Sequence, residues 1–332
     1  MDFHYSLLEN GLDFVLSSLE SLTLASAVGP SIAGAAPNVV SDQKRHLKYA
    51  LLHLCSGVEL IFKERIRQKD WQLLFADPEK ADEGAYESGD FSSIDFKQAQ
   101  ERLEEECAVE LTQDEKAQLK SFRKRRNQLE HFGLEDTLPA VQSSITEMVN
   151  LLVDFVGRAF DEGGLEEEES LLAEIRTKLG NCRAVVDDRM ALIKPELDKQ
   201  YLLVQCPSCH QFAMSADGGT VKCLFCHLST DSDTAAEEYV VNILGYPSKF
   251  EVQKDGGESP VRACPECGSE TFVAEVHGVN GIRSCYCFDC GVSYSRDEVE
   301  LCHYCNEYYV HGGEAGCHIC PDCFREKVSR DD

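Results

Sequence analysis

The chain has 332 residues, of which 43% are hydrophobic and 27% are charged. These values are ordinary for a folded protein and exclude a chain that is disordered throughout, and the length suits about two to four domains. The 59 acidic and 32 basic residues give a net charge of −27. A chain this acidic does not bind nucleic acid through its overall field, so such binding requires a local basic patch.

The sequence predicts a cytoplasmic protein with no membrane partner. Its start, MDFHYSLLENGLDF, has early acidic residues and no basic segment ahead of an apolar stretch, unlike a secretory signal. The chain also lacks the run of about 18 or more apolar residues that a membrane-spanning helix needs. In the cytoplasm, cysteines are kept as thiols or metal ligands rather than disulfides.

Residues 1–160 predict an all-α bundle of four or five amphipathic helices. Apolar residues recur at helical spacing over 5–22 and again along a long helix that Ser41 and Asp42 are expected to cap. Residues 77–95 hold a proline, two glycines and many acids, which indicates an exposed loop.

Two more helices complete this predicted domain. Thr112 followed by Glu115 is typical of a capping box, and Gly133 suits the position just beyond that helix. The last predicted helix covers 139–160. Residues 161–200 then begin with six acids in nine positions and continue with helical spacing, which predicts an acidic hinge and a helical connector.

Cysteines dominate the remainder of the chain. Fourteen of the 17 lie in 206–323, and twelve of these form six Cys-x-x-Cys pairs that fall into three couples. The couples are Cys206/Cys209 with Cys223/Cys226, Cys264/Cys267 with Cys287/Cys290, and Cys302/Cys305 with Cys320/Cys323.

The spacing of the couples indicates structural zinc. Intervening lengths of 13, 19 and 14 residues let a β-hairpin fold back and bring four thiolates into a tetrahedron. We therefore predict three small β zinc ribbons, over 201–245, 258–296 and 299–328, and about three Zn²⁺ per chain. A metal with four protein ligands has no open position for water, so these sites would hold structure rather than catalyse. Zinc ribbons bind either nucleic acid or protein, so the spacing does not decide whether these ribbons bind nucleic acid or a partner or trigger protein.

Two other interpretations of the Cys-x-x-Cys pairs remain. Cys206–His210 and Cys223–His227 match the c-type haem attachment pattern, and Cys-x-x-Cys is also a redox motif. The predicted hairpins and the absence of a βαβ context favour zinc over both. At the third couple the ligands are less certain, because Cys317, His303, His311 and His318 lie close by in sequence.

A basic segment stands out in this acidic chain. Six basic residues and no acid lie between Lys116 and Leu129, which fits a phosphate-binding surface. The plainer interpretation is a solvated helix face that neutralises acidic neighbours. The candidate nucleic-acid contacts are Lys120, Arg123, Lys124 and Arg125.

This segment leads into Arg126-Asn127-Gln128-Leu129-Glu130-His131. The motif resembles that of the HEPN superfamily (higher eukaryotes and prokaryotes nucleotide-binding), in which an arginine, a polar residue and a histidine close a helix of a small bundle. The resemblance covers roughly 1–160 and maps onto Arg126, Asn127 and His131.

Asn127 and His131 are four apart and share a helix face, and the helix end favours a protonated imidazole. His131 could pass protons near neutral pH, and Arg126 could hold a phosphate.

The resemblance implies the rest of the function. It implies a metal-independent endoribonuclease that needs no cofactor for catalysis, and in which the ribose 2′-OH attacks and leaves a 2′,3′-cyclic phosphate. It also implies a homodimer through the helical bundle and a role in antiviral defence or a toxin–antitoxin system. The alternative is a non-catalytic dimeric adaptor that binds nucleic acid or protein through its zinc ribbons.

Several other residues have plainer interpretations. Glu59 and Lys63 are expected to form a solvated pair outside the site. Trp71, Phe122 and Phe132 could stack on bases, but we expect each to pack in the core. The three remaining N-terminal cysteines, Cys55, Cys107 and Cys182, are expected to be buried apolar fillers.

Overall fold

The structure is a computed structural model that describes residues 4–27, 37–160, 165, 168–254, 257, 259–281, 283–311 and 318–328. The chain divides into two compact units, residues 1–189 and 190–332, called here the helical unit and the cysteine-rich unit. None of the described helices combines the length and the apolar character needed to span a bilayer.

In the described part of the chain, nine α-helices precede the first strand, which confirms a helical N-terminal part. They are α1 (Leu7–Ala27), α2 (Pro37–Lys69), α3 (Glu83–Ser88), α4 (Phe96–Glu105), α5 (Gln113–His131), α6 (Leu138–Ala159), α7 (Glu169–Asn181), α8 (Arg183–Leu192) and the single turn α9 (Lys194–Leu197).

Helix α2 is the centre of the helical unit. It packs along α1 and also contacts α4, α5 and α6, while α7 packs on the other helix of the pair, α1. The predicted apolar stripe of α2 is fully buried at Leu51, Val58 and Phe62. A Cβ at Gly57 would lie 2.9 Å from the Gly11 carbonyl oxygen, so the closeness of α1 and α2 requires glycine there.

Two sequence predictions are wrong in this unit. Helix α2 begins at Pro37, so Ser41 and Asp42 lie inside it; proline at the first helical position loses no hydrogen bond. Residues 77–95 are not only a loop, because they contain α3, which the Asp82 side chain caps. Phe91 anchors this segment by stacking on Phe75, with ring centroids 4.3 Å apart. The acidic stretch 161–169 lies mostly outside the described residues.

The cysteine-rich unit contains small antiparallel sheets. One sheet has β1 (Val204–Gln205), β2 (Phe212–Asp217), β3 (Thr220–Cys223) and β4 (Ser229–Asp231); a second has β5 (Val261–Arg262), β6 (Phe272–His277), β7 (Arg283–Cys287) and β8 (Ser293–Ser295); the third pairs β9 (Val299–Leu301) with β10 (Tyr308–Val310). Besides α9, the described residues of this unit form three helices: α10 (Ser232–Asn242), α11 (Lys249–Lys254) and α12 (Pro321–Val328).

The first two sheets share a core. The buried Tyr286 hydroxyl of β7 accepts the Ala216 N–H of β2 at 2.8 Å, and the buried Tyr239 hydroxyl of α10 accepts the His277 N–H of β6 at 2.6 Å. Both tyrosine rings contact Phe288, at 5.1 and 5.3 Å between centroids. The second sheet therefore satisfies a backbone donor of the first sheet, and α10 satisfies a backbone donor of the second sheet.

The third sheet adjoins the second. The Phe272 and Tyr308 rings lie 5.6 Å apart, and Glu307 accepts the Ala263 N–H at 3.2 Å. Val299 of β9 belongs to the same buried cluster as Phe272. The three segments predicted as separate ribbons are thus in contact along the chain.

Candidate functional site

The structure brings together the twelve predicted metal ligands in three tetra-cysteine clusters. Cluster 1 is Cys206, Cys209, Cys223 and Cys226; cluster 2 is Cys264, Cys267, Cys287 and Cys290; cluster 3 is Cys302, Cys305, Cys320 and Cys323. Within each cluster all Sγ atoms lie within 4.8 Å of one another, and the closest cross-pair distances are 3.7 to 3.9 Å.

These distances suit a metal ion rather than disulfides. A disulfide S–S bond is about 2.05 Å long, whereas a tetrahedron with Zn–S bonds of about 2.3 Å has edges of about 3.8 Å. All described cysteines are free. The donor set, four soft sulfurs in a compact tetrahedron, fits Zn²⁺.

Five of the six Cys-x-x-Cys pairs end in the same tight turn. The N–H of the residue after the second cysteine donates to the carbonyl of the first at 2.9 to 3.0 Å. That residue has a positive φ, between 55° and 78°, and is His210, His227, Gly268, Gly291 or Asn306. His210 and His227 therefore occupy turn positions of the knuckles. The sixth pair, at Cys320 and Cys323, instead opens helix α12.

Sulfur–sulfur contact also shapes the acidity of the thiols. In cluster 2, hydrogen bonding from Cys264 lowers the pKa of Cys287 to about 4, and the pKa of Cys264 is raised in return. In cluster 1 the pKa of Cys206 is lowered, chiefly by hydrogen bonds from Cys209, Cys223 and Cys226. In clusters 1 and 2 the neighbouring sulfurs therefore favour the thiolate form of one cysteine, which is the form that binds a divalent cation.

Cluster 3 uses the cysteines that the spacing predicts. His303 and His318 stack on each other at 5.1 Å, and His318 contacts Glu300, so neither belongs to the sulfur cluster. His311 is not in the cluster either. Cys317 lies outside the described residues.

Helix α5 positions the second set of candidate residues. Its start is the predicted capping box: the Thr112 hydroxyl accepts the Glu115 N–H at 3.2 Å, and Glu115 accepts the Thr112 N–H at 2.7 Å. Its end is Phe132, followed by Gly133 at φ 109°, whose N–H donates to the Gln128 carbonyl at 2.6 Å. Both predicted helix signals are confirmed.

Two of the motif residues, Arg126 and His131, lie near one carboxylate. Glu130 Oε2 lies 2.9 Å from Arg126 Nη1 and 3.9 Å from His131 Nε2. Arg126 Nη1 also donates to the Asn127 side-chain oxygen at 3.1 Å. The His131 side chain is 63% exposed. Arg126 therefore reaches the side of the helix that carries His131, and an anionic group stands between the guanidinium and the imidazole. Sequence reasoning missed Glu130, although its position four residues after Arg126 was a visible signal.

Helix α2 contributes charges to the same neighbourhood. Burial raises the pKa of Cys55 to about 11, while the charges of Arg126 and Arg123 act to lower it and those of Glu59 and Glu130 act to raise it. Lys63 Nζ lies 2.7 Å from Glu59 Oε1 and is mostly buried, so this pair is less solvated than predicted.

Three of the four predicted nucleic-acid contacts lie together. Lys120, Arg123 and Lys124 line a shallow surface pocket of about 320 Å³ with Asn127, Gln128 and Phe132. Arg125 is turned away: it pairs with Asp136 at 3.1 Å and donates to the Ser121 hydroxyl at 2.8 Å. Among the described residues, Lys120 and Lys124 form no ion pair.

Core packing was predicted for Trp71, Phe122 and Phe132, and it is confirmed for Phe122 only. Phe122 is buried, but Phe132 is 91% exposed, so its predicted core packing is wrong. Its place after the last helical residue points the ring away from the bundle, and the nearest ring is that of His131, 6.4 Å away. Trp71 is half-buried against Tyr86. The predicted burial of Cys55, Cys107 and Cys182 is confirmed.

We compared the chain with protein-family models, curated protein sequences and solved structures, and none of the three comparisons gave a match.

Proposed function

We propose that the protein is a metal-independent endoribonuclease of the HEPN type, whose cysteine-rich tail is held together by about three structural Zn²⁺ ions. One observation carries the nuclease proposal: a single carboxylate oxygen contacts Arg126 and also approaches His131. A scissile phosphate carries the same charge and similar oxygens, so it could replace Glu130 between the two groups.

The residues have complementary roles in this reaction. Arg126 binds the phosphate and neutralises charge that develops on its oxygens. The imidazole of His131 takes the proton from the 2′-OH as the new 2′-O–P bond forms, or gives a proton to the 5′-oxygen as the P–O5′ bond breaks. Asn127 orients the guanidinium through its side-chain oxygen. The products are a 2′,3′-cyclic phosphate and a free 5′-OH.

Both proton transfers call for two histidines, so we propose a homodimer. Each chain supplies one Arg126 and one His131 to a composite site, and the helical unit forms the contact. Lys120, Arg123 and Lys124 extend the site along α5 and attract the RNA backbone. The same resemblance implies a role in defence or toxin–antitoxin control, and the sequence predicts that the protein acts in the cytoplasm.

The nuclease proposal is tested with the full chain and mixed RNA. The buffer is freed of divalent ions beforehand, without a strong chelator, so that the tail keeps its metal. We expect wild-type protein to release fragments with 2′,3′-cyclic ends, detected by mass spectrometry, and His131→Ala to lower the rate at least about a hundredfold.

A matched variant shows whether the loss is specific. His46→Ala removes a half-exposed histidine of α2 and should leave the rate unchanged. Intact RNA with folded wild-type protein, or equal rates for His131→Ala and wild type, would contradict the proposal. Such a result would favour the adaptor, whose cysteine-rich tail docks a partner.

A further inference from the structure

The end of α5 carries a feature that phosphate chemistry does not require. Phe132 is 91% exposed, directly follows His131, and forms one wall of the pocket that also contains Lys120 and Lys124. All six lining residues belong to α5 or to its cap, so the pocket is a concavity of a single helix face.

From this arrangement we propose that Phe132 stacks on an unpaired base of the RNA and selects single-stranded substrate. The inference rests on the proposed nuclease function and deepens it. An aromatic face beside a cationic groove is the combination that binds single strands, since the groove follows the phosphates while the ring stacks on a base. In a duplex each base is already stacked and paired, so its faces are not available to Phe132.

The charge of the pocket argues for RNA as its occupant. Three of its six lining residues are cationic and none is acidic, in a chain of net charge −27. At the composite site of the proposed homodimer, two copies of this cationic face approach each other and repel. A polyanion removes that repulsion, and Phe132 gains burial from a base instead of from protein.

The geometry also places the stacked base next to the reacting phosphate. The Phe132 and His131 rings are inclined at 73° with centroids 6.4 Å apart, so they do not stack on each other. The His131 ring therefore does not cover a face of Phe132, and the His131 side chain is itself 63% exposed. The base on Phe132 belongs to a nucleotide adjoining the phosphate that Arg126 and His131 act on.

The experiment measures binding of the full wild-type chain to a 2′-O-methyl oligoribonucleotide that contains 2-aminopurine. This probe lacks the attacking hydroxyl and is not cleaved. We expect Phe132→Ala to raise Kd by about tenfold or more, as for the loss of one stacked base, and to abolish the fluorescence quenching of 2-aminopurine at saturation. Binding to a blunt duplex of equal length should change less than twofold.

Two control variants make the result specific. Phe132→Trp should restore both affinity and quenching, because it keeps an aromatic face. Phe250→Ala removes a phenylalanine of the cysteine-rich unit that is 75% exposed and should have no effect.

The negative results distinguish failure of the stacking inference from failure of the nuclease proposal. An unchanged Kd and quenching in Phe132→Ala would overturn the stacking inference, and continued RNA cleavage by wild type would show that the proposed nuclease function survives. A smaller molar mass of Phe132→Ala by light scattering, with unchanged RNA affinity, would assign Phe132 to a protein contact. If wild type neither binds the probe nor cleaves RNA, the inference and the nuclease proposal fail together.

Discussion

At Arg126 the guanidinium is shared between two acceptors of its own helix, the Glu130 carboxylate at 2.9 Å and the Asn127 amide oxygen at 3.1 Å. A phosphate must displace the carboxylate before it can bind. Because this ion pair is partly exposed, its contribution is at most about 1 kcal/mol. Glu130 therefore competes with the substrate without blocking it.

We expect Glu130→Gln to lower the Kd for RNA by about two- to fivefold, since the neutral amide releases Arg126 and removes a negative charge. Fluorescence anisotropy with the uncleavable probe measures the change, and the gain should shrink at high salt. Glu135→Gln removes one exposed acid beyond the helix and is the control for overall charge. A weaker affinity in Glu130→Gln would show that Glu130 organises the site instead of competing for it.

A second expectation concerns Cys55, whose pKa burial raises to about 11. At pH 8 only about one thiol in a thousand is ionised, and the thiolate is the reactive form. We expect iodoacetamide to leave Cys55 unmodified in the native chain and to modify it in denaturant, as read by mass spectrometry. The pKa of Cys55 is higher in the native protein than in the unfolded chain, where it is 9.0. Burial of the neutral thiol therefore stabilises the fold below pH 9, and this contribution is lost as the pH rises toward 11. Alkylation of Cys55 at the rate of an exposed thiol would refute this.

The exposure of Phe132 could not be predicted from the sequence. Its hydrophobicity predicts burial, and only the position of the helix end shows that the ring faces solvent. Glu130 is a similar case, because the sequence gives its spacing from Arg126 but not which rotamers bring the two groups together. Side-chain contacts of this kind depend on three-dimensional surroundings.

Among the elements, α5 has the strongest sequence signals. The capping box at Thr112 and the glycine at position 133 depend on neighbours within one turn, so they are readable from sequence. The start of α2 and the presence of α3 were not predicted correctly, although Pro37 and the Asp82 cap are local signals for them. The stack of Phe75 on Phe91, which anchors the segment around α3, joins two distant positions and could not be predicted.

Removing the cap of α5 should weaken the helical unit. Thr112→Ala leaves the Glu115 N–H without its acceptor, and we expect a loss of about 1 kcal/mol in the free energy of unfolding. Trp71, the single tryptophan of the chain, reports this unit by fluorescence during denaturation of the full protein. Thr112→Ser keeps the hydroxyl and should unfold like wild type; equal midpoints for all three proteins would contradict the role of the cap.

At the scale of the molecule, the cysteine-rich unit depends on contacts between its sheets. Tyr286→Phe leaves the partly buried Ala216 N–H without this acceptor, which costs about 1 kcal/mol. We expect the unit to release its metal to a colorimetric chelator at a lower denaturant concentration. The control Tyr201→Phe changes a tyrosine that is 92% exposed and should behave like wild type. Identical release curves for Tyr286→Phe and wild type would show that the sheets are stable separately.

Metal analysis tests the three clusters directly. We expect about three Zn²⁺ per chain, and about one fewer in each of Cys209→Ser, Cys267→Ser and Cys305→Ser. Cys285→Ser is the control, because this buried thiol hydrogen-bonds to the Ala274 carbonyl and belongs to no cluster. Fewer than two Zn²⁺ in wild type would refute the assignment of the clusters.

The spacing of the cysteines predicted all three clusters, because four ligands on two hairpins are a local requirement. Their shared core could not be predicted, since it depends on Tyr239 and Tyr286 reaching backbone groups about 40 and 70 positions away.

The four sulfurs of cluster 1 are buried, whereas Cys267, Cys290 and Cys305 of the other two clusters are exposed. Peroxide or an electrophile therefore meets clusters 2 and 3 first and leaves cluster 1 intact until the protein opens. Oxidation would therefore loosen the second and third sheets before the first. Because Tyr286 is next to Cys287 in β7, damage at cluster 2 would then spread to the first sheet.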